Sequence, residues 1–559
     1  MTATTVAWAG TNKMSSDLQN GHLPQNVDVI VQYRTAPTEA HHLKVTAHGG
    51  VLRHDFAGIK ASHYTVSPAV LAEMADDPEV VRITPDRQVK AHLDQADAAI
   101  SASMAASYNV NGAGVGVAVI DSGVGPSDDV AGKVVYEQQF INGNTQDTYG
   151  HGTHVAGIIA GSGKDSSGPQ YFRTFKGVAT GVSLIDLQVL DQNGNGTDSG
   201  VIAAIEQAIA LKSKYNIRVI NLSLGRPVYE SYTLDPLCQE VEQAWNAGIV
   251  VVVAAGNYGR ANPTTTYGYG TITAPGNDPL VITVGAMNDK MTPNTSDDVI
   301  TSYSSKGPTL YDMVAKPDLV APGNLIDSLR SQASNMVNNN PSVGIPMNLY
   351  HNGNDSGNST NYMQLSGTSM ATPFVSATAA LVLQQHPTMT PDQVKARLMK
   401  TANKTFPVTS SYTDPKTGIT YNEQYDIFTV GAGYLNVGNA LFNTDLAPAG
   451  LSAASPALTL TSAQTLVFTP ALSTVWGSST VWGSSTVWGS STVWGSSTVW
   501  GSSTVWGSSN LFMSAASTVW GSSTVWGSST VWGSSTVWGS SVNGTTGDSA
   551  TVVLFGGDQ

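Results

Sequence analysis

Four polar residues stand where apolar runs give way to other patterns, and their types suit acyl transfer by hydrolysis. Asp121 ends the run V-A-V-I-D-S-G, His151 stands in Y-G-H-G-T-H-V-A-G, Asn257 closes V-V-A-A-G-N, and Ser369 lies in L-S-G-T-S-M-A-T-P. A serine hydroxyl is a weak nucleophile until a base takes its proton. Histidine has the ordinary pKa for that task near neutrality, and beyond residue 100 the chain holds only His151, His154, His351 and His386. A buried carboxylate would hold the imidazole tautomer and stabilise the imidazolium. An amide or a backbone N–H would meet the developing oxyanion. A serine at a helix start also gains free N–H groups and the positive end of the helix dipole.

Each residue also has a plainer reading. Asp121 could cap a strand-end turn, Asn257 a turn or helix, and Ser369 could be an N-cap. His151 and His154 could suggest a metal pair, but the spacing is not i, i+4 and the H-E-x-x-H glutamate is missing. His154 reads as structural, His351 as a solvated loop residue, and His386, before Pro387, as a charge partner at a helix C-terminus.

Taken together and in this chain order, D-S-G, H-G-T-H-V-A-G and G-T-S-M-A-T-P resemble the subtilisin-like serine peptidases (subtilases). N-L-S-L-G at 221–225, A-A-G-N at 254–257, S-Y-S-S-K-G-P at 302–308, P-D-L-V-A-P-G at 317–323 and G-A-G-Y-L-N-V at 431–437 add to the resemblance, which spans residues 100–445. It implies Ser369 as nucleophile, His151 as general base and acid, Asp121 as orienting carboxylate and Asn257 as oxyanion donor beside the Ser369 N–H. It implies that Ser223, Leu224, Gly225, Ala254, Ala255 and Gly256 flank the substrate backbone and the pocket for the residue before the cut bond (P1). Residues 26–92 resemble the family's inhibitor propeptide, an intramolecular chaperone, with its end placed near His92 by the family's spacing.

Three departures bear on function. The loop from Gly161 to Gly181 is longer than the family's calcium loop, and Asp128 and Asp129 are the oxygen ligands left for a structural calcium; no cofactor is required for catalysis. Thr271-Ile272-Thr273 replaces a small residue near the expected P1 pocket base, and with no acid placed to bind Arg or Lys the default P1 preference is apolar or aromatic. A polar insertion from Asp327 to Met363 precedes the nucleophile and could shape access to it.

The elements that must position these residues are legible from periodicity. Val115 to Ile120, Leu184 to Leu190, Val219 to Leu224, Ile249 to Ala255 and Val281 to Val284 are apolar on both faces, as strands inside a parallel sheet are. Helical patterns cover Gly200 to Tyr215, Cys238 to Ala247 and Thr368 to Gln385. The fold class is α/β, a doubly wound and mostly parallel sheet with its site at the carboxyl ends of the strands. Residues 25–92 read β-α-β-β-α-β, a small α+β ferredoxin-like unit, with residues 1–24 before it read as flexible. Seven of the eleven histidines lie there: His22, His41, His42, His48, His54, His63 and His92. Their protonation near pH 6 could loosen an inhibitor; the plainer reading is ordinary surface residues.

The catalytic domain is placed at 93–445 and a tail at 446–559. From Leu446 to Gly547 no residue is charged, and most of that span repeats T-V-W-G-S-S, with Trp476, Trp482, Trp488, Trp494, Trp500 and Trp506, then Trp520, Trp526, Trp532 and Trp538. Period six is a multiple of two, so extended segments would set every Trp on one face. A short-rung β-stack with a tryptophan ladder is one reading and a sticky, poorly ordered tail the other.

Composition excludes other classes. The chain has 559 residues, 12% of them charged, and a net charge of −14, which does not suit a binder of nucleic-acid backbone. The lone Cys238 allows no intrachain disulfide and no cysteine-based metal site. The longest apolar run, Ile249 to Ala255, falls short of the roughly 18–20 residues a membrane helix needs. The first residues, MTATTVAWAGTNK, lack the basic and apolar regions of a signal peptide; the family resemblance implies an extracellular or cell-surface place. Two functions are weighed: a self-processed serine endopeptidase acting on proteins or peptides, and a surface adhesion or scaffold protein whose Trp repeat is the working part. In either, the tail could bind a surface or self-associate.

Overall fold

The computed structural model describes residues 25–91 except 87, and 108–460 except 142–145, 263–265, 291–294, 296, 353–356, 408, 415–417, 448–449 and 451. It also describes residues 13–15, 18 and 105, and short strands at 466–468 and between 498 and 538. His22, His92 and the first four Trp of the repeat lie outside the described residues.

The N-terminal pattern folds in the order read from it. Val27–Tyr33 (β1), Glu39–Thr46 (α1), Val51–Phe56 (β2), Ala61–Val66 (β3), Pro68–Asp76 (α2) and Val80–Pro85 (β4) form an antiparallel sheet of order β2-β3-β1-β4 with two helices. Ser67 caps α2 by accepting from the Val70 N–H, with Pro68 in the first turn. Val29, Val31, Tyr64 and Leu71 build a small core of their own, which also takes in Met14 and Leu18. These two and Ser15 are buried, so the stretch read as flexible adds apolar side chains to that core.

The unit lies on the rest of the chain through its other sheet face. Ile30, Phe56, Ile59 and Ala61 belong to the same buried cluster as the large central sheet. Polar contacts frame that contact: Arg82 Nε donates to Glu230 at 3.0 Å, His54 Nε2 sits 3.2 Å from Glu206, and the Ser199 N–H donates to Asp86 at 2.6 Å.

The central sheet is built from Gly116–Asp121 (β6), Val134–Gln139 (β7), Ser183–Gln188 (β8), Ile217–Leu222 (β10), Val250–Ala254 (β12), Ile282–Asn288 (β13), Val299–Ile300 (β14) and Leu319–Pro322 (β15). Its order is β14-β13-β12-β10-β6-β8-β7, with β15 also on β13. Every pairing is parallel except β13 with β14. The residues of β6 and β12 are wholly buried, which is why these strands read as unbroken apolar runs. The run read as Val219 to Leu224 divides: β10 stops at Leu222, and Leu224–Gly225 (β11) pairs elsewhere. It forms a small antiparallel sheet with Gln88–Ala91 (β5) and Asn195–Thr197 (β9), in the order β11-β5-β9.

His151–Ala160 (α3), Asp198–Tyr215 (α4), Pro236–Asn246 (α5), Asn335–Asn339 (α6), Thr368–Gln385 (α7), Pro391–Thr401 (α8) and Val437–Phe442 (α9) complete the helices. No helix among the described residues is long and apolar enough to cross a membrane. The polar insertion is ordered around an antiparallel sheet of Ile326–Leu329 (β16), Gly344–Pro346 (β17) and Asn358–Leu365 (β18). Thr409–Thr413 (β19) and Thr420–Gln424 (β20) form a hairpin. Packing continues past residue 445. The Ala453 N–H donates to Asp392 and Ser455 joins the buried group of Asp318, Lys316 and Lys395, before Leu458–Leu460 (β21) pairs with Leu466–Phe468 (β22).

In the repeat, Thr498–Trp500 (β23), Ser517–Trp520 (β25) and Ser529–Trp532 (β27) form one parallel sheet, and Thr504–Trp506 (β24), Ser523–Trp526 (β26) and Ser535–Trp538 (β28) another. Successive repeats therefore alternate between two sheets, a division that the six-residue period did not reveal.

Candidate active site

Asp121 and His151 meet because β6 ends where α3 begins. Asp121 is the last residue of β6, and His151 is the first of α3 after Gly150, whose φ of 102° is one that glycine adopts at no steric cost. The Asp121 Oδ1 to His151 Nδ1 distance is 2.7 Å, and both residues are fully buried. Asp121 Oδ1 also accepts the Ser122 N–H at 2.7 Å. His151 Nε2 is buried with no hydrogen-bond partner among the described residues. The carboxylate thus fixes the imidazole by one nitrogen and leaves the other for chemistry.

A buried cradle holds this pair. Ser122 Oγ donates to Asp147 Oδ1 and accepts the Gly152 N–H, both at 2.9 Å. Asp147 also accepts the N–H groups of Gly150 and Thr153 at 2.7 and 2.9 Å, and the Thr153 hydroxyl at 2.5 Å. Burial pushes Asp147 up to about 6, against the pull of these donors. A Cβ at position 152 would come within 2.3 Å of the Gly123 carbonyl, so only glycine lets α3 start this close to β6. Sequence reasoning missed Ser122 and Asp147; their signal was their place beside D-S-G and just before G-H-G-T-H.

Ser369 lies in the first turn of α7 and is buried. Its Oγ donates to the Ser223 carbonyl at 3.0 Å, and Ser223 Oγ donates back to the Ser369 carbonyl at 2.8 Å. Asn221 Nδ2 donates to Ser223 Oγ, and Ser376 on α7 donates to Asn221 Oδ1, which ties the nucleophile's helix to β10. Asn257 is oriented by its neighbour Thr368: Oδ1 accepts the Thr368 N–H at 2.9 Å and the Thr368 hydroxyl at 3.1 Å. Two donors on one side assign that atom as oxygen. Asn257 Nδ2 is left buried without a partner among the described residues. An unsatisfied buried donor costs about 1–3 kcal/mol, which an arriving oxyanion would offset.

Leu224 and Gly225 pair antiparallel with Ala91 and Lys90 of β5, and β9 pairs with the other edge of β5. The backbone of β5 therefore already lies between β9 and β11, and β11 begins one residue after Ser223. Ala254, Ala255 and Gly256 do not touch this strand as partners; the Ala255 carbonyl accepts the Thr273 N–H, and the Gly256 N–H donates to the Thr368 hydroxyl oxygen. Thr273 sits between the two glycines. A Cβ on Gly225 would meet Thr273 Oγ1 at 2.7 Å, and one on Gly256 would meet Thr273 Cγ2 at 2.7 Å.

The remaining candidates lie apart from this centre. His154 Nε2 bonds the Ile326 carbonyl at 2.9 Å, and burial pushes its pKa down to about 3. His351 packs edge-on against Tyr171. Burial first, and then Arg397, lower His386, which works against the charged helix-end role read from the sequence. Asp128 pairs with Lys164 at 2.8 Å. Asp129 accepts from Tyr362, the Asp165 N–H and Ser162. Among the described residues no group of three His, Cys, Asp or Glu is placed to hold a metal.

Residues 112–433 match the subtilase family. Serine protease AprX of Bacillus subtilis (strain 168) is 37% identical over 369 residues, covering 63% of this chain and 76% of AprX. Subtilisin E of the same strain is 34% identical over 364 residues, covering 64% of this chain and 79% of its own length. The extracellular serine proteinase of Thermus sp. (strain Rt41A) is 34% identical over 356 residues, with 61% and 71% covered. Fervidolysin from Fervidobacterium pennivorans, a keratinolytic enzyme related to subtilisin, shares the fold. Its TM-score is 0.54 at 20% identity, over 77% of this chain and 63% of the solved one.

Proposed function

This chain belongs to the subtilase family of serine proteases, and from that premise we propose that it is an endopeptidase made as a self-processed zymogen, with Ser369, His151 and Asp121 as its triad. Ser369 Oγ turns from the Ser223 carbonyl and attacks the substrate carbonyl carbon while His151 Nε2 takes its proton. Asp121 stabilises the imidazolium through Nδ1. The oxyanion meets Asn257 Nδ2–H and the Ser369 N–H. The C–N bond breaks as Nε2 returns the proton to the leaving amine, and water then releases the acyl group by the same steps in reverse roles. Protein and peptide substrates lie where β5 lies, as a strand between β9 and β11.

One observation carries the self-processing reading: β5 of the chain itself occupies that place. Ala91 stands opposite Leu224. Leu224 follows Ser223, whose carbonyl holds the nucleophile, and His92 follows Ala91 in the chain. The bond after His92 is therefore the one cut. Residues 25–92 act as the inhibitor, with their sheet on α4 and α5 and their last strand in the cleft. Thr273 narrows the floor of the P1 pocket between Gly225 and Gly256, so the pocket favours P1 side chains no larger than the His92 imidazole over the longer Tyr and Trp. The enzyme works outside the cell, as the name of the Thermus relative says of that protein.

Labelling with a serine-directed sulfonyl fluoride tests the triad. The adduct is expected on Ser369 in the processed enzyme and absent in His151→Ala. Labelling at another serine, with peptide hydrolysis intact in Ser369→Ala, would overturn the assignment.

A further inference from the structure

The loop that carries Thr273 is held at both ends by one buried charge group. Residues 273–281 run from Thr273 to the start of β13. A Cβ on Gly276 would come within 3.0 Å of the Thr273 carbonyl and 3.1 Å of the Ala254 carbonyl, so this turn packs directly against the pocket wall. The far limb of the loop is gripped by an ammonium group. Lys395 on α8 is wholly buried, and its Nζ donates to the carbonyls of Pro279, Leu280 and Val281 at 2.8, 3.2 and 2.9 Å. Lys316 Nζ donates to the Val281 carbonyl at 2.9 Å, and Asp318 pairs with Lys316 at 2.7 Å and with Lys395 at 3.0 Å. Asp318 Oδ2 also accepts the Thr283 N–H at 2.8 Å, and the Thr283 hydroxyl donates to the Gly276 carbonyl at 2.6 Å.

Both ammonium groups pair with the Asp318 carboxylate, and Lys395 draws on one more oxygen. That oxygen comes from beyond the family match, which ends at residue 433. Ser455 Oγ accepts from Lys395 Nζ at 2.9 Å and donates to Asp318 Oδ1. The Ser455 N–H donates to the Pro279 carbonyl at 2.8 Å, on the loop itself. Ser455 is 1% exposed, and a strap of chain delivers it there. The Ala453 N–H donates to Asp392 at 2.6 Å, the Ala315 N–H to the Pro456 carbonyl at 2.8 Å, and the Leu458 N–H to the Met313 carbonyl at 2.9 Å. A buried cation is costly unless its acceptors are in place, so losing one partner loosens the hold on the others.

We propose that Ser455, with Lys395 and Asp318, positions the 273–281 loop and thereby sets P1 selectivity, so that the root of the tail is a working part of the substrate pocket. This rests on the reading of the chain as a peptidase with Ser369 as nucleophile and Thr273 at the pocket floor. The three are positioning residues: they act through Thr283, Gly276 and Thr273, as supporting side chains that lock the geometry of a site do. Without the Ser455 hydroxyl, Lys395 loses an acceptor and Asp318 a donor. The grip on the loop then weakens at Thr283 and at Pro279, and Thr273 gives way to a larger P1 side chain.

Peptide pairs that differ only in Ala or Tyr at P1 read this effect on the processed enzyme. Ser455→Ala is expected to raise the Tyr-to-Ala ratio of kcat/KM about two- to tenfold, the worth of one hydrogen bond, chiefly through a lower KM for the Tyr peptide. Loss of folded enzyme would lower both rates alike and leave the ratio where it was. Lys395→Met takes the ammonium from three loop carbonyls and is expected to shift the ratio further; where that variant does not fold, Ser455→Ala decides. Hydrogen exchange across residues 273–283 is expected to quicken in Ser455→Ala by a similar factor. A ratio equal to that of wild type in Ser455→Ala, or unchanged exchange in the loop, overturns the proposal and leaves the peptidase reading standing. Wild type that cleaves neither peptide overturns both.

Discussion

Glu240 makes the hold of the N-terminal unit depend on pH. It lies on α5 and is 1% exposed, with both carboxyl oxygens lacking a hydrogen-bond partner among the described residues. The turn of the N-terminal unit covers it: a Cβ on Gly58 would stand 3.6 and 3.8 Å from those oxygens. Burial first, and then the charge of Glu206 on α4, push Glu240 up to about 8. Once the unit leaves, the carboxyl faces water and returns to the ordinary value near 4.5. Binding must then take up one proton. A raised carboxyl favours the complex fully below about 4.5 and loses that contribution as pH rises toward 8. Affinity falls up to tenfold per pH unit in that window, about 1.4 kcal/mol each. Other groups at this contact act in narrower ranges. His54, raised by Glu206, also favours the complex at low pH, and Asp86, pushed up to about 6, completes its loss by then. His63, pushed down to about 4 by burial, works in the opposite sense only below its ordinary 6.5. The assay is the inhibition constant of the 1–92 segment added to processed enzyme, between pH 6 and 8.5, for wild type and Glu240→Gln. The wild-type constant is expected to climb about tenfold more per pH unit than that of the variant up to pH 8. Equal slopes would refute the reasoning.

Four further outcomes follow from the same geometry. Asn257→Ala is expected to lower kcat about 10²- to 10³-fold with little change in KM, because its Nδ2 meets charge only in the transition state; an equal rise in KM would contradict this. Thr273→Gly deepens the P1 pocket and is expected to raise kcat/KM for Tyr over Ala at P1 by about tenfold, read with matched peptide substrates. Asp186, in the central sheet, is pushed up to about 8 by burial first, while accepting the Val124 N–H. Its neutral form favours the fold fully below the ordinary 3.8, and that contribution is lost as pH rises through 8. Asp186→Asn is therefore expected to raise Tm at pH 9 relative to wild type and to flatten the fall of Tm between pH 6 and 9. Chelation with EDTA is expected to leave Tm unchanged, since donors from Tyr362, Ser162 and Asp165 already occupy Asp129; a clear drop would point to a bound cation.

What was legible in the sequence is what local pattern encodes. β6 and β12 of the central sheet are buried on both faces, so they read as continuous apolar runs, and α7 shows both its ends in Ser369 and Pro387. Asp121, His151 and Ser369 stood out because each sits at a strand end or a helix start, and Asn257 because it follows the apolar run that holds β12. Contacts that depend on distant segments were not legible. β9 pairs with β5 across more than a hundred residues. Asn257 is aimed by Thr368, which precedes the nucleophile and itself looked like part of a helix start. Thr273 lies between two glycines that no periodicity brings together. The polar insertion looked like loop because its strands β16 and β18 are joined by a long, Asn-rich connection rather than a tight turn.

Intact-mass spectrometry of purified wild type beside Ser369→Ala tests the central claim most directly. A self-processing triad predicts that wild type loses residues 1–92 as a separate fragment while Ser369→Ala stays full length. Two full-length proteins, or the same cut in both, would contradict it.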